Sequence, residues 1–390
     1  MPIHILLILG ALTAFGPLAI DFYLPGFPAI AAFYHTDIEH VGLSLSAYFA
    51  GIAIGQLIYG PIIDRFGRRK PLLIGITLFS VTSLACAFAP SLGWLIGLRF
   101  VQSLGGCAGM VIARTMVRDK CNHTQMARVF SQLMLVTGLA PMLAPLFGGW
   151  LLIAFSWQAI FVCLCIFSTL CLLATWQFLP ESLPYDPLPL TNIWTRYWLI
   201  IKDQSFLVNA LAGGLAMGGM FAYVSGSPFV FIELYHLPEH YYGWIFGTNA
   251  LGFIVFGQIN ARLVVSKDRL FKWLFRSALG YVLCSLVLLL VALSKPPYLW
   301  MIVLPLFCCV SCLGGILPNA TACALANQGS KAGSASGLLG SMQFCLAAIA
   351  SAAVGVIHNN DAKAMAVIVF VCSCMTLLCI IYASKIKSNI

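Results

Sequence analysis

The sequence predicts an all-α polytopic membrane protein, with twelve transmembrane helices in two six-helix bundles around a central cavity. Three observations carry that expectation. First, 61% of the 390 residues are hydrophobic and only 8% are charged, where a soluble domain carries about 25% charged residues. Second, apolar runs of about 20 residues follow one another along nearly the whole chain, the length that crosses a ~30 Å hydrocarbon layer as a helix. These runs are continuous instead of alternating, which argues against a β-barrel. Third, one long connection, Pro180 to Gln204, divides the chain into 1–180 and 205–390, with 181–204 as a linker. Pro180, Pro184, Pro187 and Pro189 break helix there. Trp194, Tyr197 and Trp198 suggest a segment lying at the membrane interface before the chain re-enters.

Helices are expected near 5–30, 41–62, 71–90, 93–114, 127–152, 157–179, 205–232, 242–264, 271–293, 298–326, 332–357 and 363–383. The first is too long for a signal-peptide core and has no basic flank, so it reads as a retained helix. It carries Asp21, the only carboxylate in the middle of an apolar membrane-length segment. That depth costs a carboxylate about 3 kcal/mol or more unless it is protonated, paired or facing a polar cavity. Asp21 is therefore the first functional candidate, as a site for a proton or a cation.

The second helix ends in Gly60-Pro61-Ile62-Ile63-Asp64-Arg65-Phe66-Gly67-Arg68-Arg69-Lys70. Gly60 suits close helix approach, Gly67 a tight turn, and Asp64 a pairing with arginine or a neighbouring helix N-terminus. The fourth helix carries Arg99 in Leu98-Arg99-Phe100-Val101-Gln102-Ser103. A guanidinium stays protonated when buried, so Arg99 needs an acceptor: Asp21, the backbone and Gln102 are the candidates. The fifth contains Gly138, Pro141, Pro145, Gly148 and Gly149, a pattern that kinks a helix and lets it pack closely. Polar cavity-lining candidates are Tyr23, Tyr48, Gln56, Gln132, Tyr223, Asn249, Gln258 and Gln343, set among Phe, Met and Leu. Such a wall offers stacking and apolar area with few fixed hydrogen bonds.

Lys and Arg in short loops set the orientation. Arg65, Arg68, Arg69, Lys70, Arg114, Arg118, Lys120, Arg128, Arg262, Lys267, Arg269, Lys272 and Arg276 fall on one side, against Lys295 and Lys363 on the other. Both termini are therefore expected in the cytoplasm. The net charge of +9 reflects these anchors, and no nucleic-acid partner is expected. Most of the fifteen cysteines read as small hydrophobes inside apolar runs, so no zinc site or redox centre is expected. No phosphate-binding G-x-x-x-x-G-K-[S/T] loop and no H-E-x-x-H site is present, so neither ATP-driven transport nor enzymatic chemistry is indicated.

The second-to-third connection resembles the major facilitator superfamily loop G-x-x-x-D-R-x-G-R-R at every defined position. Arg99 and Gln102 resemble its R-x-x-Q-G motif, with Ser103 in place of glycine, and the fifth helix resembles its antiporter motif. Asp21-Phe22-Tyr23-Leu24-Pro25-Gly26-Phe27-Pro28, Ala113-Arg114-Thr115-Met116-Val117-Arg118-Asp119 and Gln258-Ile259-Asn260-Ala261 narrow the likeness. Together they resemble the bicyclomycin/chloramphenicol-resistance (Bcr/CflA) family of drug:proton antiporters, most densely over 15–182. The resemblance implies a monomer in the bacterial inner membrane that exports small amphipathic compounds, driven by the proton gradient without a cofactor. It implies coupling at Asp21 and Arg99, and a cytoplasmic gate at Gly60, Asp64, Arg65, Gly67, Arg68 and Arg69. Export of an endogenous metabolite or siderophore, a metabolite:proton uptake symporter and a non-transporting receptor are the alternatives.

Overall fold

The structure, a computed structural model, describes residues 3–120, 133, 140, 143–182, 193–264, 267–294, 298–326, 328, 332–357 and 361–388. Among these, ten helices are long and apolar enough to cross a membrane. The chain is thus an all-α, multi-pass membrane protein.

The first apolar run is not one helix. It comprises α1 (Ile3–Thr13), α2 (Phe15–Asp21), a 3-10 turn (Leu24–Gly26) and α3 (Phe27–Tyr34). Prolines explain the breaks. Pro17 lies in the short α2, Pro25 opens the 3-10 turn and Pro28 sits at the start of α3, each lacking the N–H that would continue the ladder. A hydropathy reading sees only apolar side chains, so it runs through these interruptions.

Then follow α4 (Ile38–Phe66), α5 (Arg69–Ala87), α6 (Leu92–Lys120), α7 (Leu143–Ala154) and α8 (Gln158–Phe178). The expected interfacial segment contains a short helix, α9 (Ile193–Ile201), whose Tyr197 and Ile200 are buried while Trp198 and Leu199 are exposed. Next come α10 (Gln204–Pro228), extended by a π-helical turn (Phe229–Leu234), then α11 (Glu239–Leu263) and α12 (Lys267–Leu293). The chain ends with α13 (Trp300–Leu325), α14 (Ala332–Val356) and α15 (Lys363–Ser388). The Asp203 carboxylate starts α10 by accepting from the Ser205 and Phe206 N–H groups, at 2.9 and 3.3 Å.

The helices before and after the linker meet chiefly along α4 and α14. Ser46 donates to Ser351 at 2.9 Å across this seam. Phe49 packs on Phe221 at 4.1 Å between ring centroids and reaches Phe344 at 6.2 Å. Where the sequence suggested a central cavity, these aromatic walls close on one another. Towards the basic end, the Tyr197 hydroxyl donates to the Leu57 carbonyl at 3.3 Å, tying α9 to α4.

Candidate functional site

Asp21 ends α2, beside the break in the first apolar run, and is 5% exposed. Its carboxylate makes no hydrogen bond and no ion pair with any described residue. The 3-10 turn that follows Asp21 lies against α10 and α11, the helices that carry Tyr223 and Tyr242. Gly148 of α7 makes the break possible from the other side: a Cβ there would collide with the Phe22 carbonyl. Pro145, Gly148 and Gly149 are all buried in α7.

Arg99 is fully buried in α6 and does not pair with Asp21. One guanidinium nitrogen donates to the Ala19 carbonyl at 2.7 Å and another to Gln102 Oε1 at 2.6 Å. Gln102 in turn donates to Ser83 at 2.6 Å. The local reason is helix termination. Because α2 stops at Asp21, the Ala19 carbonyl is one of its orphaned acceptors, and Arg99 supplies the donor. The guanidinium also lies over the rings of Tyr48 at 4.3 Å, Tyr23 at 4.6 Å and Phe161 at 5.8 Å. Desolvated cation–π contacts of this kind contribute about 2 kcal/mol each.

Tyr23 and Tyr48 are thereby walls of an arginine cage, and Tyr23 is further held by a 3.0 Å hydrogen bond with Ser44. Arg99→Met should leave the Ala19 carbonyl and Gln102 without their charged donor, costing about 2–4 kcal/mol. Thermal melting in detergent would register that as a clear fall. An unchanged melting temperature would mean that the cage carries no stability.

The second cluster lies on α10 and α11. Asn249 Nδ2 donates to the Tyr223 hydroxyl at 2.8 Å, and Tyr223 stacks on Phe246 at 5.7 Å and 22°. Tyr242 shares a 2.6 Å hydrogen bond with Ser227. The structure therefore joins Tyr223 and Asn249 on α10 and α11, the helices against which the 3-10 turn after Asp21 lies, and gathers Arg99, Tyr23 and Tyr48 among the N-terminal helices. Tyr242, Phe246, Ser227 and Phe161 were not singled out from the sequence, although Tyr242, Phe246 and Asn249 stand at the four- and three-residue spacing of one helix face.

Other expected cavity residues fall elsewhere. Gln258 is exposed on the same face of α11 as Leu251 and Val255. Gln56 and Gln343 are half-buried. The Gln56 side chain fills the space beside Gly340 of α14, and Gln343 sits beside Gly213 of α10. Gln132, Gly138 and Pro141 lie outside the described residues, as does the side chain of Asp64.

At the basic end, Gly67 has φ +82° and terminates α4. The Glu181 carboxylate accepts from the Arg68 and Arg69 backbone N–H groups at 2.9 and 3.0 Å, capping the start of α5. Arg68 Nε donates to Asp119 at 3.0 Å, and its Nη1 donates to the Ile63 carbonyl. Arg69 donates to the Trp176 carbonyl at 2.5 Å, while Arg65 is exposed with its charge 5.3 Å from the Phe66 ring. Gly60 does not mediate the close helix approach expected of it. A Cβ there would meet only the Tyr197 hydroxyl, at 3.9 Å, because α9 and not a membrane helix covers that spot.

Contrary to the expectation that the chain has no C-x-x-C pair, Cys309 and Cys312 form one inside α13. Among the described residues no group of His, Cys, Asp and Glu could hold a metal ion.

A bundle of apolar helices, its first run broken beside a buried carboxylate and a caged arginine, has the character of a membrane carrier. The chain belongs to the Major Facilitator Superfamily, whose sequence profile matches residues 7–352. It is 38% identical over 371 residues to the uncharacterized MFS-type transporter YdgK of Bacillus subtilis, covering 93% of this chain and 91% of that one. It is 31% identical over 364 residues to the bicyclomycin resistance protein homolog of Haemophilus influenzae, covering 92% and 91%. In fold it is similar to the xylose transporter XylE from E. coli in a partially occluded inward-open conformation. That likeness has a TM-score of 0.75 at 13% identity and covers 98% of this chain and 97% of that one.

Proposed function

We propose that this carrier is a proton-coupled exporter of small amphipathic compounds, of the Bcr/CflA drug:proton antiporter kind. The observation that carries the reading is Asp21: a buried carboxylate without a partner among the described residues, at a helix break whose 3-10 turn lies against α10 and α11. The name of the Haemophilus influenzae relative supports drug export. In this reading twelve spans form two halves, 1–180 and 205–390, joined by the linker 181–204. The basic end and both termini face the cytoplasm of a bacterial inner membrane, and the monomer is the working unit.

Asp21 then alternates between a proton and a substrate. Protonated, it is neutral, and the helices can close over it without a buried charge. Substrate arriving from the cytoplasm engages the deprotonated carboxylate, and a proton arriving from outside displaces it, which is reciprocal coupling through one site. Arg99 positions the group by holding the Ala19 carbonyl two residues away.

Expression in a host stripped of its major efflux pumps tests the function directly. Tolerance across a panel of amphipathic compounds should rise, and no change for any compound would sink the export reading. The same assay examines the gate. Asp64→Asn removes a charge at nearly constant shape, so substrate binding should survive while turnover falls about tenfold or more. Transport at the parental rate would reduce the arginine loop to a topology anchor.

A further inference from the structure

Two acceptors, one on the N-terminal helices and one on α11, have no hydrogen-bond partner among the described residues. Asp21 presents a carboxylate with no hydrogen bond to a described residue. Asn249, 1% exposed, uses Nδ2 on Tyr223 and leaves its carbonyl oxygen Oδ1 without a partner. An amide oxygen accepts two hydrogen bonds, and buried polar atoms in folded proteins are nearly always satisfied. Asn249 Oδ1 is thus an acceptor with hydrogen-bonding capacity to spare. Beside it run aromatic faces: Tyr223 stacked on Phe246 at 5.7 Å, and Phe246 next to Tyr242 at 5.9 Å.

We propose that Asn249 Oδ1 is a substrate acceptor, and that with Asp21 it selects amphipathic aromatic compounds carrying an N–H-bearing cation over equally charged compounds without an N–H. The proposal rests on the site assignment above and adds its specificity. Asp21 supplies the charge from the N-terminal helices. Asn249 reads the hydrogen, and the Tyr223–Phe246 stack accepts the apolar body. A quaternary ammonium satisfies the charge and leaves Oδ1 dry, the situation in which a hydrogen-bonding site rejects an isostere.

Equilibrium binding to purified full-length protein, with no proton gradient, tests this with a matched pair: naphthylethylammonium and its N-trimethylated derivative. The parental protein should prefer the primary ammonium by about tenfold or more. Asn249→Leu should cut that preference to about threefold or less, with affinity for the quaternary compound held within about twofold. Asn249→Asp keeps an acceptor and should keep the preference. Tyr223→Phe removes the partner of Nδ2 but leaves Oδ1, and should keep it as well. Equal binding of the pair by the parental protein, binding of neither, or a preference that persists in Asn249→Leu would each overturn the proposal. Failure of the antiport reading is separate: it appears as proton release unaffected by Asp21→Asn, with this preference intact.

Discussion

Asp21→Asn should abolish gradient-driven accumulation of substrate in everted membrane vesicles while leaving binding of neutral compounds measurable. The amide is close in shape to the protonated acid, so the helices can still close over it, yet it cannot release a proton. An imposed pH gradient should therefore lose its effect on the substrate distribution, a fall of about tenfold or more against the parental protein. Asp21→Glu retains the ionisable group one methylene further out, and should keep partial activity. Accumulation by Asp21→Asn at the parental level would move the proton carrier elsewhere. Glu181 is a poor substitute, because it is committed to capping α5 with two backbone hydrogen bonds.

Gly67→Val should be the most damaging single change at the basic end. With φ +82° and ψ 177°, Gly67 occupies a backbone region that is essentially restricted to glycine, and a β-branched residue there costs about 1–3 kcal/mol in strain. The added Cβ would also stand 2.6 Å from Glu181 Oε2. Displacing that carboxylate frees the Arg68 and Arg69 N–H groups, a lost cap of about 1 kcal/mol. A combined loss of about 2–4 kcal/mol should appear as a lower melting temperature in detergent and as reduced transport. Gly67→Ala should lie between, since it keeps the strain without the branch. Parental stability in Gly67→Val would mean that this turn relaxes freely and that its geometry is not a constraint on the gate.

Much of this architecture was legible because membrane spans are written in continuous apolar length, and most described helices fall within a few residues of the expected ones, the fifth being described only over Leu143–Ala154. The first span was the exception: Pro17, Pro25 and Pro28 were visible, but only the fold reveals that they split it into four pieces. Asp21 and Arg99 could be named from sequence because an ionisable group inside an apolar run is costly wherever it points. Their relation could not. Arg99 was free to choose Asp21, Gln102 or the backbone, and the orphaned Ala19 carbonyl that it takes exists only because α2 ends there.

The sequence also could not tell Gln258 from Asn249: both are polar residues in one apolar run, and only the fold buries Asn249 and leaves Gln258 exposed. The cap on α5 joins residues 113 positions apart, from Arg68 to Glu181, a distance that no local pattern spans.

Proton release from purified protein on adding substrate, in weakly buffered detergent solution, tests the central claim most directly. The parental protein should release protons in proportion to the sites filled, and Asp21→Asn should bind neutral substrate and release none. Release undiminished in Asp21→Asn, or no release from the parental protein at saturating substrate, would contradict the assignment of coupling to Asp21.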